Sequence, residues 1–467
     1  MADDAHVSLI VDNPLRDLEG LVLLGRQLAT RGARVTLVPM YDQGFDVPAL
    51  RPDLVLLNYT RPNNADLIKS YKRAGILVGV LDTEGMGGKS ADQFAGMVKA
   101  TGCPDLVDLY CVWGEAQRTA FLQHATVPET LLFATGCPRY DFCAPPWRSA
   151  LSKPSVAPGY VLINTNFPVV NPRFSNNSLV EEQSMVKAGF SREFARRFIV
   201  DARDAYRRAL ETAIELARMF PDERFVLRPH PFENIHAYDA FAELPNAQVI
   251  QSGTSLEWIS GASLLIHQNC STAIEAIMLH VEPLSMEWFN TPALRLDAAT
   301  QVSRPAASSS ELANLVREAL NRGLQSPAHD TVEFRRKIIR DLFTSVDGAS
   351  SARVSDAVLQ TIANARGKIG GQVEQTPRPS GRGMAADAIR AALGYRLSSA
   401  VRRSYGSKDE QRRRLGKAFS IELVNAILQR LDSASGDTRR FFARVATAGS
   451  TRTRTMSGAS LELTQVS

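Results

Sequence analysis

The sequence predicts an α/β protein with two Rossmann-like, doubly wound domains, a ligand cleft between them and a basic tail after the second. Short, fully apolar runs alternate with helical stretches from the first residues, as in parallel sheets that are covered by helices on both faces. This alternation stops at the proline-rich "CAPPW" and restarts at "YVLINTNF". At 467 residues the chain is also too long for one ordinary domain.

The first domain is expected at residues 1–145. "HVSLIVD" is typical of a buried strand, and "LRDLEGLVLLGRQLATRG" is typical of a helix that ends at Gly32. The later apolar runs, which we interpret as strands, are "RVTLVP", "DLVLLNY", "GILVGVLD", "DLYCVWG" and "LLFATG".

The second domain is expected at residues 146–365, with strands at "YVLINTNF", "RFVLRPHP", "AQVIQSG" and "SLLIHQN". Residues 366–384 are rich in Gly, Pro and charge, which indicates a linker. Residues 385–467 are expected to form a partly helical or disordered tail. In doubly wound proteins of this kind, a cleft between domains is the usual ligand site.

Composition and charge restrict the class of protein. Hydrophobic residues make up 44% and charged residues 22%, which is ordinary for a globular protein. The net charge is +5, of which residues 385–467 contribute +8 (15 Lys plus Arg against 7 Asp plus Glu), so the rest carries −3. A mildly acidic body argues against nucleic acid as a partner. The arginine clusters of the tail, at 402–403 and 412–414, suit anionic lipid headgroups, or else belong to a solvated basic tail.

The start of the chain and its cysteines favour a cytoplasmic protein. "MADDAHVSLIVD" lacks the layout of a signal peptide, and no apolar run approaches the roughly 18 residues that cross a bilayer. The five cysteines form no CxxC pair, so we expect reduced, partly buried thiols.

Arg228 and His230 are the first candidate site residues. They follow the strand-like "FVL", and the prolines at 229 and 231 hold the chain in one direction. The carboxyl end of a parallel strand is where such sheets bind ligands. An imidazole there can donate to a phosphate, and Arg228 can reinforce it or pair with Glu233. The alternative is a strand end whose histidine only bonds a carbonyl.

Ser271 and Thr272 follow the strand "LLIHQN" at the predicted start of a helix, where hydroxyls and backbone N–H groups suit an anion. Glu275 lies one turn further and would accept hydrogen bonds from ribose hydroxyls. The alternative is structural, because Thr272 and Glu275 have the spacing of a capping box.

"LDTEGMGG" places Asp82 and Glu84 at a strand end, directly before Gly85. Glycines there permit close approach of a substrate, and a desolvated carboxylate can act as a general base. A solvated, glycine-rich turn is the alternative. No histidine has metal-ligand spacing, and His267 fits a core position.

Two further segments lie at the predicted domain boundary. "TGCPRYDF" carries Arg139 and Asp141, which we expect to pair and to orient the domains, with a ligand role for Arg139 second to that. "INTNF" supplies asparagines, among them Asn166, that can line the cleft.

Together these segments resemble bacterial surface-carbohydrate biosynthesis proteins with a GT-B glycosyltransferase-like architecture. The resemblance covers about residues 6–285 and rests on "RDLEG", "DTEG", "WG", "TGCPRYD", "NTNF", "LRPHP" and "NCSTAIEA", in this order. The HP motif and the Ser/Thr pair are also similar to those of capsule and lipopolysaccharide transferases that use CMP-activated sialic acid or Kdo. Glycerophosphate transferases of wall polymers share this pattern.

The resemblance implies a metal-independent glycosyltransferase that builds a surface polysaccharide or lipid-linked glycan. Glu84 would be the catalytic carboxylate and His230 the phosphate contact, with Ser271 and Thr272 completing the phosphate site. Position 83 is Thr where those enzymes carry a second acid. No cofactor is expected, and the co-substrate would be a CMP- or UDP-linked sugar.

Three alternatives stay open at this point. One is a nucleotide-sugar 2-epimerase, another is a polyol-phosphate transferase, and the third is a non-catalytic nucleotide- or sugar-binding scaffold. The partners expected for the transferase are a nucleotide-sugar donor, a glycan or glycolipid acceptor and, through residues 385–467, the inner face of the plasma membrane.

Overall fold

A computed structural model of the chain describes residues 4–82, 90–173, 178–187, 190–322, 327, 329–367, 379–393, 414, 416–447 and 459–466. The chain divides into two compact units. The first contains residues 1–151 and 339–467, and the second contains residues 152–338.

The described residues of the first unit form an eight-stranded sheet with the order β13-β14-β2-β1-β3-β4-β5-β6. Strands β1 to β6 run parallel, whereas β14 pairs antiparallel with β2 and β13 pairs antiparallel with β14. The strands are β1 (His6–Val11), β2 (Arg34–Pro39), β3 (Leu54–Leu57), β4 (Leu77–Leu81), β5 (Leu109–Val112), β6 (Leu132–Ala134), β13 (Phe441–Val445) and β14 (Leu461–Gln465).

The helices of this unit include the predicted first one, where Pro14 occupies the first turn and the Asn13 side chain accepts from the Leu15 N–H at 3.1 Å. The helices are α1 (Pro14–Thr30), α2 (Gln43–Leu50), α3 (Ala65–Arg73), α4 (Ala91–Lys99), α5 (Glu115–Gln123), α14 (Ser350–Gly367), α15 (Gly381–Leu393) and α16 (Ile421–Ala434).

The second unit is a six-stranded, fully parallel sheet with the order β12-β11-β10-β7-β8-β9. Numbered within the unit, this is the 3-2-1-4-5-6 order of the Rossmann fold, which reverses between β7 and β10. The strands are β7 (Tyr160–Asn164), β8 (Phe225–Arg228), β9 (Ala247–Val249), β10 (Ala262–His267), β11 (Glu282–Met286) and β12 (Arg304–Ala306). The helices are α6 (Ser178–Lys187), α7 (Arg192–Met219), α8 (Asp239–Ala242), α9 (Ser255–Ser260), α10 (Thr272–Met278), α11 (Asp297–Val302) and α12 (Ser309–Arg322). Helix α13 (His329–Phe343) crosses the boundary between the units.

Each unit has its own apolar core, as the sequence predicts. Strand β1 and strand β7 are buried along their whole length, which explains why their sequences show no polar alternation. Two Rossmann-like units in one chain are the domain composition of the GT-B type, so the predicted α/β class with two such domains is confirmed. All five cysteines are free and buried.

The C-terminal residues do not form the separate tail that the sequence predicts. Residues 339–365, which we assigned to the second domain, belong to the first unit. Residues 381–384 of the predicted linker form the start of α15. Beyond it, β14 and β13 extend the first sheet, because β14 pairs with β2, and α16 packs against β13 and α1. An ion pair fixes this addition: Arg26 and Asp432 are 2% and 4% exposed, and their side chains meet at 2.8 Å.

Some cations of the predicted basic tail, among them Arg414 of the predicted lipid-binding clusters, are used inside the first unit instead. Arg414 lies 3.7 Å from Asp42 and donates to the Tyr41 carbonyl, and Lys417 pairs with Asp12. The other arginines of the predicted clusters, at 402, 403, 412 and 413, lie outside the described residues. None of the described helices is both long and apolar enough to span a bilayer.

Candidate functional site

The carboxyl edge of the second sheet brings together side chains from three neighbouring strands. The parallel register aligns His267 of β10 with Asn164 of β7, and Asn164 with Arg228 of β8. These are the strands on both sides of the point where the strand order reverses. In doubly wound sheets that point is where ligands bind.

Arg228 is a buried cation at this edge. It is 7% exposed, its Nη2 donates to the Gly253 carbonyl at 2.5 Å, and its Nε has no hydrogen-bond partner in the described part of the chain. Burial lowers the pKa of the guanidinium, while the Glu275 and Glu257 carboxylates act in the opposite direction. Among the described residues no carboxylate forms an ion pair with it. An anion bound here would therefore stabilise a charge that burial has left without water.

Gly253 is required for this arrangement. Its φ is +74°, in the left-handed region that favours glycine, and a Cβ at this position would lie 2.6 Å from Glu257 Oε2. The turn holds its carbonyl against Arg228. The sequence "QSGTS" indicated a strand end here, but it did not indicate that the Gly253 carbonyl contacts Arg228.

His230 is half-buried, and its ring is oriented by the backbone. The Phe232 N–H donates to His230 Nδ1 at 3.2 Å. In the neutral imidazole the proton is therefore on Nε2, which makes Nε2–H a hydrogen-bond donor. This is the form that donates to a phosphate oxygen.

Glu233 holds the His230 turn in place. It is completely buried, and its Oε1 accepts from the His230 N–H at 3.0 Å, the Phe167 N–H at 3.0 Å and Thr165 Oγ1 at 2.9 Å. The Tyr238 hydroxyl donates to its Oε2. Burial raises the pKa of Glu233, and these hydrogen bonds oppose that rise.

Glu233 therefore joins the loops after β7 and β8 and does not serve as the ion-pair partner of Arg228 that we expected. The sequence did not show this role. The one local signal is a carboxylate three residues after His230, in a turn rich in proline.

At the start of α10, Thr272 connects two strand ends. Its Oγ1 accepts from Asn164 Nδ2 at 2.9 Å and donates to Cys270 Sγ at 3.0 Å. Ser271 precedes the helix, is exposed, and its side chain makes no capping hydrogen bond. The capping-box alternative is therefore wrong, because Thr272 is a helical residue whose hydroxyl is engaged elsewhere.

Helix α10 has only seven residues, so we assign the binding potential here to side chains and not to the helix dipole. Glu275 lies in its first turn, is 5% exposed and acts electrostatically on Arg228. Asn164 Oδ1 is buried without a partner. Arg228 Nε and Asn164 Oδ1 are therefore a buried donor and a buried acceptor at this edge that no described residue satisfies.

Asn166 lies at the exposed rim, where its Nδ2 donates to the Asn269 carbonyl at 3.0 Å and joins the loops after β7 and β10. His267 is a core histidine, as predicted. Its Nε2 lies 2.7 Å from Ser303 Oγ, its Nδ1 accepts from the Cys270 N–H, and burial lowers its pKa to about 3. It is neutral at physiological pH and contributes no charge to the edge.

The remaining predicted residues belong to the first unit. The Arg139 guanidinium lies over the Tyr140 ring, 4.6 Å from its centroid. Asp141 accepts from the N–H groups of Ser350 and Ser351 at 2.8 and 2.7 Å, so it caps α14 where we expected it to pair with Arg139. The buried Asp82 accepts from Trp113 Nε1 through its carbonyl at 2.7 Å. Glu84 and Gly85 lie outside the described residues.

No family model matches the sequence, and no curated protein matches it. The chain is similar to solved structures at low identity, three of which illustrate the range. UDP-GlcNAc 2-epimerase from Methanocaldococcus jannaschii, in complex with UDP-GlcNAc and UDP, is 13% identical; the match covers 71% of this chain and 99% of that one, with a TM-score of 0.43.

UDP-GlcNAc 2-epimerase from Neisseria meningitidis, bound to UDP-GlcNAc, is 12% identical over 76% of this chain and 100% of that one, with a TM-score of 0.45. The wall teichoic acid polymerase TagF is 11% identical over 77% of this chain and 89% of that one, with a TM-score of 0.47. The fold assignment rests on the strand order within each unit and not on these similarities.

Proposed function

We propose that the protein is a metal-independent glycosyltransferase that moves a sugar from a nucleotide-activated donor to a surface polysaccharide or lipid-linked glycan. The observation that carries this proposal is the buried guanidinium of Arg228, which lies where the second sheet reverses its strand order and whose Nε donates to none of the described residues. A phosphate group of the donor fits such a cation in charge and in hydrogen-bonding geometry.

The neighbouring groups have complementary roles in this proposal. His230 Nε2–H donates to a phosphate oxygen, and the exposed Ser271 hydroxyl would donate to it from the next strand end. The Thr272 hydroxyl, whose proton is used by Cys270, would support the site by holding Asn164. Glu275 accepts hydrogen bonds from the ribose. As the bond between the sugar and the phosphate breaks, negative charge grows on the leaving nucleotide, and Arg228 and His230 stabilise it more strongly than they stabilise the bound donor.

The acceptor side of the proposal comes from the resemblance of "DTEG" to the transferase motif. Glu84 would take the proton of the acceptor hydroxyl as the new glycosidic bond forms. A glycolipid acceptor would lie in a bilayer, so the proposal includes peripheral contact with a membrane surface.

The proposal is tested by comparing His230→Ala with His236→Ala. His236 lies in the same region of the second unit with its side chain 81% exposed. Turnover is measured with CMP-, UDP-, GDP- and CDP-linked donors and a glycan acceptor. We expect His230→Ala to reduce transfer by roughly 100-fold or more, the size of effect seen when one transition-state hydrogen-bond donor is removed. His236→Ala should retain wild-type turnover, and both variants should keep the wild-type melting temperature.

Full activity of a folded His230→Ala variant would contradict the phosphate role. The same assay separates the alternatives. A donor that changes at C2 without any acceptor would indicate an epimerase, and transfer of a polyol phosphate would indicate that class of transferase. Tight nucleotide binding with no conversion of any donor would indicate a binding scaffold.

A further inference from the structure

Helix α15 turns an apolar face to solvent. Met384, Ile389 and Leu393 are 44%, 56% and 45% exposed. Alanines at 385, 388 and 392 are exposed as well. At 100° per residue, these positions share one side of the helix. A surface helix normally buries such a face, so its exposure needs an explanation.

Hydrogen bonds on the opposite side fix this orientation. The Ser380 N–H donates to Asp66 Oδ1 at 2.8 Å just before the helix, and Ser70 Oγ donates to Asp387 Oδ2 at 2.6 Å. Asp66 and Ser70 are both on α3, so α15 attaches to the first unit through polar contacts. Rotating the apolar side inward would break both contacts. The exposed face is therefore a consequence of how the helix is attached.

The charges around the helix are mainly positive. Arg382 is exposed at its first turn, and α3 contributes Lys69 and the exposed Arg73 beside the two polar contacts. The Asp66 and Asp387 carboxylates, which accept the serine hydrogen bonds, offset part of this positive charge. In the sequence that follows, residues 394–413 contain six Lys plus Arg and two Asp plus Glu. An exposed apolar stripe with cationic flanks is the pattern of a helix that lies on an anionic membrane.

We propose that α15 is an interfacial helix whose apolar face inserts between the headgroups of an anionic bilayer, while the neighbouring cations contact the lipid phosphates. Anionic lipid fits better than a second copy of the chain, because two copies meeting through this face would bring their cations together. The inference names the surface for the membrane contact included in the proposed function, but it rests on exposed side chains and not on catalysis. Binding to vesicles is measured without nucleotide or acceptor, so a failure of this inference can be distinguished from a failure of the proposed function.

The test is co-sedimentation of the full chain with vesicles of phosphatidylcholine alone or mixed with phosphatidylglycerol. We expect the wild type to pellet with the mixed vesicles, and Ile389→Glu to lower its partition coefficient by at least about tenfold, since the change places a charge in the inserted face. Val200→Glu is the matched control. Val200 is 63% exposed on α7 of the second unit, and its variant should pellet like the wild type.

A second readout locates the inserted residue. The native cysteines are buried, so an environment-sensitive fluorophore can be attached to Ile389→Cys or to Val200→Cys. We expect the probe at 389 to brighten with the mixed vesicles and the probe at 200 to stay unchanged.

Three results would overturn the inference. They are failure of the wild type to pellet with phosphatidylglycerol vesicles, wild-type pelleting of Ile389→Glu, and equal brightening of both probes. A wild-type dimer in light scattering that Ile389→Glu converts to a monomer would assign the face to a second copy instead.

Discussion

Single side chains hold the turn that carries His230, and Glu233 accepts hydrogen bonds from four donors there. Gln251 supports the same turn from the loop after β9, since its Nε2 donates to the carbonyls of His230 and Glu233 at 2.9 Å. The direction of the His230 ring thus depends on the buried Glu233 and the half-buried Gln251, to which the proposal gives no contact with the ligand.

We predict that Glu233→Ala destabilises the protein by roughly 3 kcal/mol, because buried donors lose their acceptor, and that it also weakens nucleotide binding. Glu233→Gln should recover most of both, since an amide oxygen can accept from the same N–H groups. Urea unfolding and titration calorimetry measure the two effects, with the exposed Glu243→Ala as the control.

A structural role alone would lower stability and leave the affinity for nucleotide unchanged. If Glu233→Ala binds nucleotide as tightly as the wild type under conditions where it is folded, Glu233 does not position the site.

At the residue scale, the sequence identified Arg228 and His230 because prolines and a strand end mark them locally. It named Glu233 only as a possible partner of Arg228 and did not identify its role in holding the turn, since Thr165, which donates to it, lies 68 positions away in the sequence. Arg228 illustrates the same limit. Its position was predictable, but its contact with the Gly253 carbonyl depends on a turn after another strand.

At the scale of elements, the C-terminal strands were missed for a related reason. The sequences "FFARV" and "LELTQ" are short, and their apolar residues become a strand pattern only when β14 pairs with β2. Arg34 of β2 and Glu462 of β14 pair across 428 positions of sequence. Local composition therefore suggested a basic tail, although several of its cations form ion pairs with carboxylates of the first unit.

The buried pair Arg26–Asp432 lets this attachment be tested. We predict that Asp432→Ala destabilises the first unit by about 3–5 kcal/mol, because Arg26 would stay buried without its counter-charge. Asp356→Ala is the matched control, since Asp356 is 68% exposed and pairs with Arg31 at 3.2 Å. Its loss should cost about 1 kcal/mol or less.

Urea unfolding of both variants provides the measurement. Equal, small effects of the two substitutions would contradict the view that α16 and the C-terminal strands are an integral part of the first unit.

At the scale of the whole molecule, alternating apolar and helical segments predicted two doubly wound units, because buried parallel strands need this composition. The strand order could not be predicted in the same way, since it depends on which strands pair across the sheet. That order places the ends of β7, β8 and β10 side by side, so the three motifs that follow these strands lie at the same edge of the sheet. The sequence supplied the motifs, and only the pairing showed that they meet.

The central claim is that Arg228 binds a phosphate group at this edge. The most direct measurement is calorimetric titration with a nucleotide, chosen as the one among CMP, UDP, GDP and CDP that most raises the melting temperature, and with its nucleoside. We predict that the wild type binds the nucleotide at least about tenfold more tightly than the nucleoside, a difference of roughly 1.4 kcal/mol. Arg228→Gln should remove most of this preference, and Arg224→Gln, which changes an exposed arginine just before β8, should keep it. Equal affinity of the wild type for both ligands, or an undiminished preference in Arg228→Gln, would contradict the claim.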